Sequence, residues 1–304
     1  MFHGVMTALV TPFTCNPQGE KIIDEDAFFA HLDRQLAAGV DAVVPAGTTG
    51  EAATLSMSEH KRLIDMTVQH INGRIPVIAG AGSNNTAESI ALTQAAKQVG
   101  ADAALLISPY YNKPTQAGIY QHYHAIADAV HMPQILYNVP GRTHSHIAVD
   151  TVAKLAQHPH IIGIKDATAD LAHLTRSIMQ CPKHFQFYSG DDATTLPFML
   201  MGGSGVISVV SNIAPKTMKA MVTGIQAGDL DAAKQAHFSL QHLSDAMFVE
   251  SNPIPVKAGC ALLGWMEHCL RLPLTPLAEA QMQKLSTIMR DFDGAEESLT
   301  LSDS

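Results

Sequence analysis

The sequence predicts an α/β fold, a (β/α)8 TIM barrel with a C-terminal helical extension, and three observations lead there. Eight short apolar runs rich in β-branched residues lie about 25 to 35 residues apart, which leaves room for one helix in each interval. The runs suit a parallel sheet buried on both faces. Helix-start and helix-stop residues fall in the intervals between them. An open, doubly wound sheet remains the structural alternative, because spacing alone does not prove closure.

Taken in order, residues 5–10 form the first apolar run, and Asp24 caps a helix in which Phe28, Leu32 and Leu36 recur every fourth residue until Gly39 ends it. The second run, 42–45, precedes a helix starting at Ser58, with Ile64, Val68 and Ile71 facing inward and Asn72-Gly73 closing it. After the third run, 76–79, Asn85 with Glu88 reads as a capping box for a helix that ends at Gly100. The remaining runs are 103–107, 134–138, 161–165, 185–189 and 205–209. Beyond Val209 the pattern turns helical, with starts near Pro215 and Asp229 and after Pro253 and Pro276. The expected organisation is a catalytic barrel over 1–225 and a helical extension over 226–293. The tail, 294–304, is acidic and serine-rich with little to bury, so disorder is expected there.

A chain of 304 residues with 46% hydrophobic and 15% charged residues can bury a large core, which excludes the disordered and fibrous classes. Its net charge of −9 argues against nucleic acid and anionic membranes as partners, since no basic run offsets that field. No segment reaches the roughly 18 apolar residues of a membrane span, and the N-terminus Met1-Phe2-His3-Gly4-Val5 has no basic-then-apolar leader. Cys15, Cys181, Cys260 and Cys269 form neither a C-x-x-C pair nor a dense framework, so a reducing, cytoplasmic setting is expected.

The chemistry starts at Lys165. It closes the apolar run Ile161-Ile162-Gly163-Ile164 and opens the polar stretch Asp166-Ala167-Thr168, which puts an amine where a strand leaves a hydrophobic interior. Desolvation at such a place disfavours an ammonium and frees the lone pair that attacks a carbonyl to form a Schiff base. A lysine that merely snorkels to solvent from a strand end is the bland alternative. Other polar clusters follow neighbouring runs. Gly47-Thr48-Thr49-Gly50-Glu51 offers backbone N–H groups and two hydroxyls suited to a carboxylate, though such a stretch also makes an ordinary turn. Tyr110-Tyr111-Asn112 and Tyr137-Asn138 bring phenols to the same mouth, able to pass protons beside an amine, or simply to pack. Arg142 supplies a planar fork for a second carboxylate, or a surface ion pair.

These segments, with Gly163-Ile164-Lys165-Asp166-Ala167-Thr168, Ser189-Gly190-Asp191-Asp192, Gly205-Val206-Ile207-Ser208 and the stretch from Phe248 to Lys257, follow one familiar order. The chain resembles the dihydrodipicolinate synthase and N-acetylneuraminate lyase family over nearly its whole length, the acidic tail excepted. The resemblance implies a class I aldolase-type lyase with neither metal nor organic cofactor. It implies that Lys165 forms an imine with pyruvate, that Thr49 holds the pyruvate carboxylate, and that Tyr137, Thr48 and Tyr111 relay protons. Gly190 and Ile207 are implied at the substrate site. Arg142 is implied to bind the carboxylate of L-aspartate 4-semialdehyde, whose aldehyde the enamine attacks on the route to diaminopimelate and lysine. Tyr111 would reach a neighbouring subunit's site, which implies a dimer, usually paired into a homotetramer. In lysine-inhibited relatives the regulatory pocket corresponds to Ala52, His60, Asn84, Glu88 and Tyr110, so L-lysine is an expected inhibitor.

Relatives that act on N-acetylneuraminate or on 2-keto-3-deoxy sugar acids share the lysine and the tyrosine, but an arginine fork at position 142 favours a small acid. A barrel that only sensed keto acids would need Thr49 and Arg142 yet gain nothing from Lys165. The pairs His122/His124, His144/His146 and His158/His160 read as mostly surface residues with no carboxylate or third histidine beside them, so no metal site is expected.

Overall fold

The structure, a computed structural model, describes residues 2–294. Strand β1 (Gly4–Ala8) leads into a two-stranded hairpin, β2 (Phe13–Cys15) and β3 (Lys21–Ile23), that the sequence pattern did not announce. Then come β4 (Ala42–Val44), β5 (Ile78–Gly80), β6 (Ala103–Ile107), β7 (Gln134–Asn138), β8 (Ile161–Asp166), β9 (Gln186–Ser189) and β10 (Gly205–Ser208). With β1 they form a parallel eight-stranded sheet in the order β4-β1-β10-β9-β8-β7-β6-β5. Main-chain contacts join its two edges: Val43 bridges Val77, Val43 N–H donates to Pro76 O (3.1 Å), and Gly80 N–H donates to Pro45 O (2.9 Å). The sheet is therefore a barrel rather than an open doubly wound sheet. Gly80 is needed at that seam, because a Cβ there would stand 2.2 Å from Ala46 O.

Successive residues of a strand face opposite ways. Met6, Val44, Ile78, Leu105, Ile135, Tyr137, Tyr188 and Ile207 fill the barrel interior. Val5, Val43, Leu106, Leu136, Ile164 and Phe187 pack outward beneath the helices. Since Ile164 faces out, Lys165 faces in at the C-terminal tip of β8, and Asp166 faces out again.

Helix α1 (Glu25–Ala38) starts as expected, with the Asp24 carboxylate accepting from Ala27 N–H, and Gly39 ends it in the left-handed region (φ 74°). The cap of α2 (Met57–Ile71) is Ser56 rather than Ser58. The reason is spacing: Ser56 has Glu59 three residues on and completes a capping box, whereas Ser58 has Lys61. Asn85 caps α3 (Thr86–Gln98), but Glu88 leaves the box to accept from Ser83 Oγ at 2.8 Å. The outer ring continues with α4 (Gln116–Ala129), α5 (Pro140–Thr143), α6 (Val149–Leu155), α7 (Leu171–Gln180) and α8 (Thr195–Leu200). The later helices, α9 (Pro215–Ala227), α10 (Leu230–Ala246), α11 (Ile254–Leu262) and α12 (Glu279–Arg290), begin close to the predicted starts. From residue 295 the tail expected to be disordered lies outside the described residues. No helix among the described residues is long and apolar enough to cross a membrane.

Candidate active site

Lys165 is 5% exposed, and among the described residues its Nζ makes no hydrogen bond and no ion pair. It lies 4.4 Å from the centre of the Tyr137 ring, its register partner on β7. Gly190 makes room for it: a Cβ there would stand 2.9 Å from Lys165 Cε and 2.8 Å from Ala167 Cβ. Tyr188, the register partner on β9, donates its hydroxyl to Phe2 O at 3.1 Å. The Tyr137 hydroxyl has no protein partner among the described residues. Of the two phenols flanking the amine, Tyr137 is thus the one free to move protons. Ile207 is buried on the interior face of β10.

The loop after β4 is a tight turn in which Gly50 N–H and Ala52 N–H both reach Gly47 O, at 3.1 and 3.2 Å. The N–H groups of Thr48 and Thr49 donate to no acceptor among the described residues, which leaves them for a carboxylate. Glu51 holds a left-handed backbone (φ 54°) and is anchored from the extension. Lys257 Nζ of α11 donates to Glu51 Oε1 at 2.6 Å with both side chains fully buried, and Arg271 N–H donates to Oε2 at 3.1 Å. Lys257 also donates to Cys269 O at 2.6 Å and sits 4.3 Å from the Phe13 ring centre. Burial lowers the Lys257 pKa, and the Glu51 charge opposes that shift.

Asn252 joins two expected substrate ligands. Its Nδ2 donates to Thr49 Oγ1 at 3.0 Å, and its carbonyl accepts from Arg142 Nη2 at 3.2 Å. Arg142 is exposed on α5, beside a cavity of about 620 Å³ lined by Gly141, Arg142 and residues 248–252. Sequence reasoning missed Asn252 and Lys257 as site residues. A charged residue inside the apolar helix from Ile254 to Leu262 was the available signal for Lys257, since a buried charge requires a partner.

Tyr111 stands apart: it is 90% exposed on a left-handed backbone (φ 71°), presented to solvent rather than to Lys165. The expected regulatory residues lie on the loops after β4, β5 and β6 and on the helices that follow two of them. Ala52 opens the short 3-10 turn that follows Glu51, and Asn84 Nδ2 donates to Tyr110 O at 3.1 Å. His60 is buried with its Nε2 2.6 Å from Gly80 O, and Glu88 accepts from Ser83.

The histidine pairs need correcting. His122 is buried, with Nδ1 2.9 Å from Thr86 Oγ1, and burial lowers its pKa to about 4. His124 and His158 do have a carboxylate beside them: Asp128 Oδ2 lies 2.9 Å from His124 Nδ1, and Oδ1 lies 3.1 Å from His158 Nε2. Their ligand atoms fall within 4.8 Å of one another. His160 N–H donates to His158 Nδ1 at 3.2 Å, an arrangement that turns the Nε2 proton toward Asp128. The three residues are a hydrogen-bonded network built on a carboxylate.

Known proteins share this architecture. The sequence model of the dihydrodipicolinate synthetase family matches residues 1–291. A 4-hydroxy-tetrahydrodipicolinate synthase of Maridesulfovibrio salexigens is 50% identical over 290 residues, covering 95% of this chain and 98% of that protein. The chloride-inhibited dihydrodipicolinate synthase of Acinetobacter baumannii, solved in complex with pyruvate, superposes with a TM-score of 0.92 at 46% identity, over 96% of this chain and 99% of that one. The enzyme of Cyanidioschyzon merolae with lysine bound superposes with a TM-score of 0.91 at 40% identity, over 95% and 97%. An inward lysine at a strand tip, a free phenol beside it and a match across the whole barrel and its extension lead to one conclusion: this chain belongs to the dihydrodipicolinate synthetase family.

Proposed function

We propose that the chain is a lyase that condenses pyruvate with L-aspartate 4-semialdehyde through an imine on Lys165. The observation that carries this reading is a buried amine that, among the described residues, has no hydrogen-bond or ion-pair partner, set against a phenol whose hydroxyl is equally unengaged there. The relatives named 4-hydroxy-tetrahydrodipicolinate synthase and the pyruvate complex of a similar enzyme support it.

Pyruvate enters with its carboxylate on Thr49 and the N–H groups of Thr48 and Thr49. The Lys165 nitrogen adds to the keto carbon, and one water leaves to give the iminium. That nitrogen is the electron sink, so loss of a methyl proton yields an enamine without a metal or an organic cofactor. Tyr137 and Thr48 carry the protons, and Tyr111, facing outward, completes the relay in a neighbouring subunit, so the working form is a dimer, paired into a homotetramer. Arg142 holds the carboxylate of the aldehyde substrate while the enamine carbon attacks its carbonyl. The substrate's amino group then adds to the iminium carbon and expels the Lys165 amine, closing the ring of 4-hydroxy-tetrahydrodipicolinate. Gly190 and Ile207 shape the wall of the site. The extension over 226–293 acts as its scaffold through Asn252 and Lys257.

L-Lysine is the proposed inhibitor, held around Ala52, His60, Asn84, Glu88 and Tyr110, and the lysine-bound relative supports this. The aldehyde assignment is tested by supplying pyruvate with L-aspartate 4-semialdehyde and, in parallel, following cleavage of N-acetylneuraminate. Ring product from the first and no cleavage of the second is expected. A preference for the sugar acid overturns the assignment.

A further inference from the structure

Strand β8 ends on two side chains that point opposite ways. Lys165 faces the interior, and Asp166 faces the helices, where its Oδ2 lies 2.8 Å from His173 Nδ1 of α7 and its Oδ1 accepts from Thr168 N–H at 2.8 Å. The His173 ring reaches further, with Nε2 3.2 Å from Ile147 O. Both of its partners are acceptors, so both ring nitrogens donate, and a ring that donates twice is an imidazolium. The Asp166 and His173 side chains are each 5% exposed, which makes this a buried ion pair. Ile147 is gripped from its other side as well, its N–H donating to Asn138 Oδ1 at 3.0 Å. It closes the segment that begins at Arg142.

The geometry points to His173 as a positioning residue: its imidazolium ties the strand tip that carries Lys165 to the segment that carries Arg142, and so sets the reach between the imine and the carboxylate of the second substrate. This role rests on the imine chemistry proposed above. His173 lies behind the strand and touches no substrate.

Among the described residues the titratable groups facing His173 are Asp166 of β8, Asp170 at the N-cap of α7 and His146, whose ring stands 4.8 Å away. The hydrogen bond to Asp166 raises the His173 pKa against the pull of burial. Burial works against the Asp166 carboxylate, yet the hydrogen bonds from His173 and Thr168 hold it below the usual range. Burial, reinforced by the His173 charge, lowers the pKa of His146. With the His173 value raised, the bridge is present at lower pH and is lost as pH climbs through that raised value. With the Asp166 value depressed, it is lost again only when pH falls through the carboxylate's.

The test compares the unaltered chain with His173→Gln between about pH 6 and about pH 9. Two quantities are followed, the KM for the aldehyde and borohydride trapping of pyruvate on Lys165. A guanidinium does not titrate in this range and the substrate's own amino group titrates alike with both chains, so the part of the KM change that the unaltered chain shows and His173→Gln lacks reports the bridge. In the unaltered chain KM rises about tenfold with pH, and kcat changes less. In His173→Gln, where the side chain at that position does not titrate, KM is raised throughout and that rise is missing. A merely structural role would lower the melting midpoint and leave the shape of the pH profile intact. Asp166→Asn is the second variant: it removes the charge that holds the proton on His173 and moves the rise in KM to lower pH. If the unaltered chain captures pyruvate and either variant, folded, keeps the original profile, the positioning role is overturned. Failure to capture pyruvate at all overturns the imine reading instead.

Discussion

Two lysines of this chain are nearly out of water, and the fold treats them in opposite ways. Lys257 is fully buried and fully engaged, with the Glu51 carboxylate and Cys269 O each 2.6 Å from its Nζ and the Phe13 ring beneath it. Lys165, 5% exposed, lies over the face of Tyr137 and among the described residues makes no hydrogen bond or ion pair. An amine that no hydrogen bond or ion pair holds in place is open to attack a carbonyl carbon. Pairing, rather than burial, separates the lysine that anchors Glu51 from the lysine proposed to react.

The comparison breaks most visibly at Lys165. Lys165→Ala is expected to cut kcat by about 10⁴-fold or more while the thermal midpoint stays nearly unchanged, because no hydrogen bond is lost. Steady-state kinetics beside thermal unfolding separates the two effects. Lys257→Met should behave in reverse, costing about 3–5 kcal/mol of stability because the Glu51 carboxylate is stranded in the core. Adding Glu51→Gln should recover part of that loss in a denaturant titration, and a single-variant cost near zero would mean that the pair does not organise the loop after β4. Gly190→Ala sharpens the contrast by pushing a methyl group into the space of Lys165 Cε. Imine formation should slow by about 100-fold in rapid-mixing experiments, with little effect on folding. Asn252→Ala, which removes the donor to Thr49, should weaken pyruvate binding by about 1 kcal/mol, read as a rise in the pyruvate KM.

Much of this was legible in the chain itself. Parallel strands buried on both faces must be apolar runs, and for that reason all eight barrel strands lie where the runs predict them. The hairpin of β2 and β3 escaped because its strands are partly exposed and form no continuous buried apolar run, unlike the equally short β4 and β5. Lys165 stood out as a charge at the end of an apolar run. Lys257 was equally visible, but its partner Glu51 lies 206 positions away, and Asn252 lies 203 from Thr49, so only the folded chain reveals those pairs. The histidines mislead for a related reason. The H-x-H spacing suggests neighbours in sequence, whereas His124 of α4 and His158 of the turn before β8 meet across two elements at Asp128. His173 is close to Asp166 in sequence, yet its hold on Ile147 appears only once the strand tip and the Arg142 segment are side by side.

Reduction with borohydride in the presence of pyruvate, followed by peptide mass mapping, sets the two lysines against each other in one experiment. A single reduced pyruvate adduct on Lys165, with Lys257 unmodified, is the predicted result. No adduct, or one carried by Lys257 or any other lysine, would contradict it.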